Sequence, residues 1–182
     1  MYPMRRSRSW RPRRPGSPAL LAAGRAFGIA PYGLDALNTL RIEKRHVTGA
    51  ELNGNTSADD LGFGRMLKQD GDFVGRCLSR RPGLNSSSRL QLVGVRPVDV
   101  SQRLRNGAQL VVPRARRSSL GYVTSSTPSV EFSGWAGLAL LAGGRERIGQ
   151  TLLAVSLLHD EVTPLEIVSP HRLDPENIRV RA

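Results

Sequence analysis

A carboxylate that accepts two parallel N–H bonds suits recognition of a planar, nitrogen-rich ring edge, because paired charge-assisted hydrogen bonds are strong and directional. Glu43 is the side chain in this sequence best suited to that work. It closes the stretch G-L-D-A-L-N-T-L-R-I-E (33–43), where Leu34, Leu37 and Leu40 recur at helical spacing. The spacing predicts a helix over about 33–43 with a buried leucine stripe and Glu43 in its last turn. A negative charge there opposes the helix dipole and needs a reason. Two remain open: an exposed ion pair with Arg41, Lys44 or Arg45, which contributes little, or a ligand. Arg41 in the same turn, and Tyr32 just before the helix, are the other candidate binding residues.

Few other residues offer chemistry. His46 has no second metal ligand nearby, and Gly62-x-Gly64 lacks the third glycine and preceding strand of a dinucleotide fingerprint. His159 and His171 read as surface histidines. Arg114, Arg116 and Arg117 read as a solvated hairpin tip. Cys77, the single cysteine, excludes an internal disulfide and suits a reducing cytoplasmic setting. It falls on an apolar helical stripe with Phe73, Val74 and Leu78, which places it in a core.

With 182 residues the chain has room for one substantial core or two small ones. No apolar run is long enough to span a membrane. The net charge of +12 suggests nucleic acid, but six arginines before residue 15 carry half of it, leaving +6 for the rest. Residues 1–18, rich in Arg, Pro and Ser, read as a disordered basic tail. A nucleic-acid arm would have Trp10 alone for stacking, and a targeting helix would have to survive four prolines. The bias also matches GC-rich DNA read out of frame, which is the reading favoured here.

Beyond the first helix, Asn53-Gly54 marks a turn, and Ser57 with Asp60 forms a capping pair that should open another helix. Asp72 caps the helix bearing Cys77. Arg80–Ser88 is a linker by composition. The period then becomes alternating, with strands expected at Arg89–Val95, Ala108–Val112, Leu120–Ser126, Trp135–Leu141, Thr151–Val155 and Pro164–Val168. Turns are expected at Arg96-Pro97, Asn106-Gly107 and Gly143-Gly144. Six short strands at this spacing predict an antiparallel barrel or sandwich.

The stretch Gly33, Ala36, Leu40, Arg41, Glu43 resembles the G-x-x-A-x-x-x-L-R-x-E-x-G pattern of the aminomethyltransferase (T-protein) module that ends the α subunit of heterotetrameric sarcosine oxidase. Asn53–Asp60 resembles that family's N-G-x-T-x-x-D-D, and G-A-Q-L-V, G-Y-V-T-S-S, L-A-L-L-A-G-G-R and E-I-V-S-P-H resemble its C-terminal part. The likeness runs from about residue 20 to 182. It implies an α+β chain: residues 19–85 as a remnant of the T-protein middle α/β domain, then residues 86–182 as a C-terminal antiparallel jelly-roll-like β-barrel.

The resemblance further implies that Glu43 holds the tetrahydrofolate pterin, and that the module passes the one-carbon unit from oxidative demethylation of sarcosine to tetrahydrofolate. It assigns FAD, FMN and NAD to regions outside this stretch or to other subunits, which would be the partners, along with the catalytic Asp. A chain starting partway through the module should then lack complete catalysis. Arg45 stands where the family pattern has Gly, a residue that supplies a left-handed conformation at helix ends. Weakened or lost folate binding is therefore expected. A non-catalytic binding or assembly module is the alternative, and a basic nucleic-acid-binding protein is the third.

Overall fold

The computed structural model describes residues 16–67, 71–113 and 115–181. The tail expected over residues 1–18 falls mostly outside them, and its last residues are helical: α1 runs Gly16–Gly24. The chain divides into two compact units, one ending at Leu34 and one from Asp35 onward. The first holds α1 and a 3-10 turn at Arg25–Phe27. Gly28 closes that turn with φ 68, a left-handed conformation that glycine takes without a Cβ penalty.

The second unit is built on six strands: β1 (Leu90–Pro97), β2 (Gln109–Val112), β3 (Ala115–Ser129), β4 (Gly134–Ala142), β5 (Thr151–Ser156) and β6 (Glu161–Val168). They close into an antiparallel barrel in the order β1-β4-β3-β2-β5-β6. All six expected strands are present. Arg96 and Pro97, expected as a turn, extend β1 and pair with Glu166 and Leu165. Strands β2 to β4 form a meander, and β1 lies beside β4 in Greek-key order.

The two faces of the strands build two cores. Val93 and Val95 of β1, Leu110, Val123, Ala139 and Leu141, Leu152 and Ala154, and Leu165 and Ile167 fill the barrel. Filling by side chains is what a barrel this small requires. Leu92, Leu138 and Leu140 point the other way and pack with Ile42 and Leu61. Ile42 belongs to α2 (Leu34–Lys44), the helix expected from the leucine spacing.

The helix is where the sequence placed it, but its buried face is not. Leu34, Leu37 and Leu40 are 82%, 45% and 55% exposed, and Ile42 and Glu43 are buried instead. The C-terminal part of α2, from Thr39 onward, reaches the barrel wall. Two other expectations also change. Ser57 and Asp60 do form the reciprocal cap, Ser57 N to Asp60 Oδ2 at 2.8 Å and Asp60 N to Ser57 Oγ at 3.2 Å, but turns and a 3-10 turn at Gly64–Met66 follow instead of a helix. Among the described residues Asp72 accepts a hydrogen bond from the Phe73 amide alone, and α3 is a single turn, Arg76–Ser79. Cys77, Val74 and Leu78 are exposed, because so short a helix buries no stripe.

Leu141→Ala empties a fully buried position in the barrel and is expected to cost about 2–5 kcal/mol in chemical denaturation. Leu37→Ala, on the exposed face of α2, should change stability by no more than about 0.5 kcal/mol.

Candidate functional site

Against β4, strand β3 carries one extra residue. Val123 pairs with Ala139 and Ser125 pairs with Leu138, so Thr124 stands between two consecutive β4 partners as a bulge. Before the bulge, Val123 points into the barrel; after it, Ser125, Thr127 and Ser129 pair with Leu138, Ala136 and Gly134 on the outer face. The bulge thereby turns a row of buried hydroxyls toward α2.

Each hydroxyl meets a residue of α2. Thr39 and Thr127 share a hydrogen bond of 2.7 Å between their hydroxyls. Arg41 Nη2 donates to Ser125 Oγ at 2.7 Å. The Ser129 hydroxyl donates to Glu43 Oε1 and accepts from the Phe132 amide at 3.1 Å. Sequence reading missed this row, although its signal, the alternating hydroxyls of S-S-T-P-S (125–129), is present in the chain.

Glu43 is 6% exposed, which overturns the reading of it as an exposed ion-paired carboxylate. Arg41, Lys44 and Arg45 all turn to other partners. Ser129 supplies the one hydrogen bond to Glu43 found among the described residues, so one carboxylate oxygen stands uncommitted there. Beside Glu43 lies a slit of about 10 Å³ bounded by Ile42, Gly94, Gly137, Phe132 and Arg172. That is room for about one water. The Arg172 guanidinium stacks over the Phe132 ring at 4.1 Å, a cation–π contact on its rim.

Each side-chain nitrogen of Arg41 donates to protein: Nε to Asn38 Oδ1 at 2.9 Å, Nη1 to Glu51 Oε2 at 3.2 Å, and Nη2 to Ser125. Glu51 is fully buried and also accepts from Ser125 Oγ at 2.6 Å and the Thr48 amide at 2.8 Å. Burial pushes its pKa up, but hydrogen bonds from Ser125, Thr124 and Thr48 and the charge of Arg41 outweigh it and hold the carboxyl below its ordinary value. Glu51 was not singled out from sequence. Asp60 is arranged similarly: burial raises its pKa, and Arg89, bidentate at 2.7–3.1 Å, together with Ser57, brings it below the ordinary carboxylate value. Tyr32 lies in the unit ending at Leu34 and is 69% exposed.

The C-terminal segment is fastened near the end of α2. Lys44 Nζ donates to Asp174 O at 2.8 Å and Oδ2 at 2.9 Å, and Arg45 meets His171 Nε2. Glu131 makes an exposed pair with Arg179 at 3.3 Å. His46 and His159 are exposed, and the side chains of the Arg114, Arg116 and Arg117 cluster lie outside the described residues. No helix among the described residues is long and apolar enough to cross a membrane.

Comparison with known proteins bears on this arrangement. No family model matches the chain. It is 44% identical over 166 residues to the sarcosine oxidase subunit alpha of Rhizobium meliloti, which covers 89% of this chain and 17% of that protein. It is 32% identical over 136 residues to the aminomethyltransferase of Halalkalibacterium halodurans, covering 74% of this chain and 36% of that protein. The chain carries a T-protein-like module. A solved structure, the glycine cleavage system aminomethyltransferase T from Bartonella henselae, shares the fold of the module with a TM-score of 0.64 at 20% identity, over 84% of this chain and 44% of that one. The module thus spans about a sixth of the sarcosine oxidase alpha subunit and about a third of the aminomethyltransferase.

Glu51 and Asp60 have depressed carboxyl pKa values in the folded state, so the stability they confer is present above the unfolded values, about 4.3 and 3.9, and is lost as pH falls through the folded ones. Thermal unfolding followed from pH 6 downward should show Tm falling on that acid limb. Glu51→Gln should flatten the limb and cost about 3–5 kcal/mol near neutrality, because it leaves the Arg41 guanidinium without its counter-charge.

Proposed function

We propose that this module binds tetrahydrofolate, with Glu43 accepting hydrogen bonds from the amino-pyrimidine edge of the pterin. The observation that carries the reading is a buried carboxylate, held by the single hydroxyl of Ser129, at the end of the helix where the resemblance puts it. The donor chemistry fits: a half-committed, buried acceptor is what two adjacent ring N–H groups need. The slit beside it admits no ring as it stands, so occupation requires Phe132 and Arg172 to swing outward. When bound, the folate supplies the nitrogens that take up a one-carbon unit.

In this reading Arg41 is a strut. Its bonds to Glu51 and Ser125 fix the turn of α2 that aims Glu43, and direct contact with folate is not assigned to it. The module acts in the cytoplasm within a larger assembly of sarcosine oxidase type, receiving the carbon released by demethylation of an N-methyl amino acid at a flavin held elsewhere. Residues 19–85 act as the remnant of the T-protein middle domain, and residues 86–182 as its jelly-roll-like barrel partner.

A second reading, an assembly module without folate, is favoured by the exposed leucines 34, 37 and 40 on α2, an apolar stripe that a partner surface would cover. Titration of the full chain with tetrahydrofolate, followed by calorimetry, distinguishes the two. Binding that weakens by about 1–3 kcal/mol, roughly 5–150-fold, in Glu43→Ala supports the folate site. Absence of binding in the unsubstituted chain leaves the assembly reading, and an unchanged titration in the variant removes Glu43 from the site.

A further inference from the structure

Arg45 is a buried cation with no anion beside it among the described residues. It stands at φ 68, and only 5% of the residue is exposed. Its Nη1 meets His171 Nε2, its Nη2 donates to the Leu61 carbonyl, and its guanidinium lies 5.1 Å from the centre of the Phe63 ring. Its Nε is buried with no hydrogen-bond partner among the described residues. None of these partners carries a negative charge. By contrast Arg41, Arg89, Arg96, Arg105, Arg145 and Arg179 each pair with an Asp or Glu. Among the described residues no carboxylate answers Arg45, and a buried charge left alone is costly.

The surroundings add charge of the same sign. Arg45 forms part of the wall of a cleft of about 1130 Å³, whose other charged lining residues among those described are Arg65, Arg80, Arg145 and Asp59. Asp59 is already engaged by Arg145, at 3.3 Å and through its carbonyl. Burial and then the field of Arg145 depress the guanidinium pKa of Arg45. Burial, then Arg45 and Lys44, lower that of His171, which keeps its ring neutral and able to accept from Arg45. Between the cations the wall is apolar, with Phe63, Met66, Phe73 and Ile148. Glu43 does not line this cleft.

We propose that this cleft binds an organic anion whose phosphate or paired carboxylates are neutralised by Arg45 and Arg145 and whose apolar body lies on Phe63 and Ile148. The shared chemistry is a multivalent oxyanion. Arginine suits it because its planar fork matches both phosphate and carboxylate. The site is independent of the folate reading, because it uses neither Glu43 nor the slit beside it.

The test uses the full chain, with pyrophosphate and citrate as probes and sodium chloride at matched ionic strength as control, followed by thermal unfolding and calorimetry. Saturable binding is expected, with Tm raised by about 5–10 °C at a hundredfold excess over Kd. Arg45→Gly should lose at least about tenfold in affinity while remaining folded, since φ 68 suits glycine. Arg145→Gln, altering a side chain 43% exposed, should weaken binding by about tenfold without disturbing the fold. Glu43→Ala should leave the response unchanged. A response to one probe alone supports the site and identifies its headgroup. No shift beyond chloride with either probe, or equal responses in wild type and both arginine variants, overturns it.

Discussion

The arrangement of α2 on the barrel depends on one inserted residue. Without Thr124, the alternation of β3 would continue unbroken, and Ser125, Thr127 and Ser129 would exchange faces with their neighbours. With it, three hydroxyls face outward where an aliphatic barrel wall would otherwise offer the helix only leucine. Polar groups buried between helix and sheet need partners. Thr39, Arg41 and Glu43, at every second position of α2, find them in that row. A strand has period two and a helix does not, so this matching works only over the short contact at the end of α2, where long Arg and Glu side chains make up the difference.

Compensation of charge then varies around the helix end. Glu51 and Asp60 each have an arginine and several hydrogen bonds, and they tie the loop after α2 to β3 and to the start of β1. The Leu92 amide also donates to the Asp60 carbonyl at 2.9 Å, extending that attachment into the sheet. Glu43 has one hydroxyl, and Arg45 has neutral acceptors and an aromatic face. Fully satisfied pairs at low dielectric hold a fold in one geometry. The two partly satisfied charges, two residues apart and opening on different cavities, are the groups on which the two proposed sites rest.

Much of the architecture was legible because strands and α2 announce themselves by period. All six strands were placed from alternation, with Pro97 misleading only at the end of β1, where it continues the strand opposite Leu165. Glu43 was legible as a residue out of keeping with the helix dipole. The leucines of α2 misled because periodicity reports an apolar stripe and not what covers it. Cys77 misled for a related reason: its stripe lies on a helix of one turn, too short to present a face. Glu51 was invisible because its partners Arg41 and Ser125 are 10 and 74 residues away, and nothing in the local sequence separates a buried carboxylate from a solvated one. The bulge was hidden likewise, since an extra residue in a strand is defined by its partner across the sheet.

The position of β1 has a consequence for how the chain is made. It is the first strand of the barrel to be synthesised, yet both its neighbours, β4 and β6, come later, and Gly94 is paired with Leu138 on one side and Val168 on the other. Its hydrogen-bonding edges therefore stay open while the ribosome adds more than forty residues for one partner and more than seventy for the other. The closure of long loops delays such pairing and leaves an apolar strand, L-Q-L-V-G-V, available to wrong partners meanwhile. The loop from Thr48 to Gly62 is already made by then, and Asp60, with its grip on Arg89 and Leu92, can hold one end of that strand before the barrel exists to receive it.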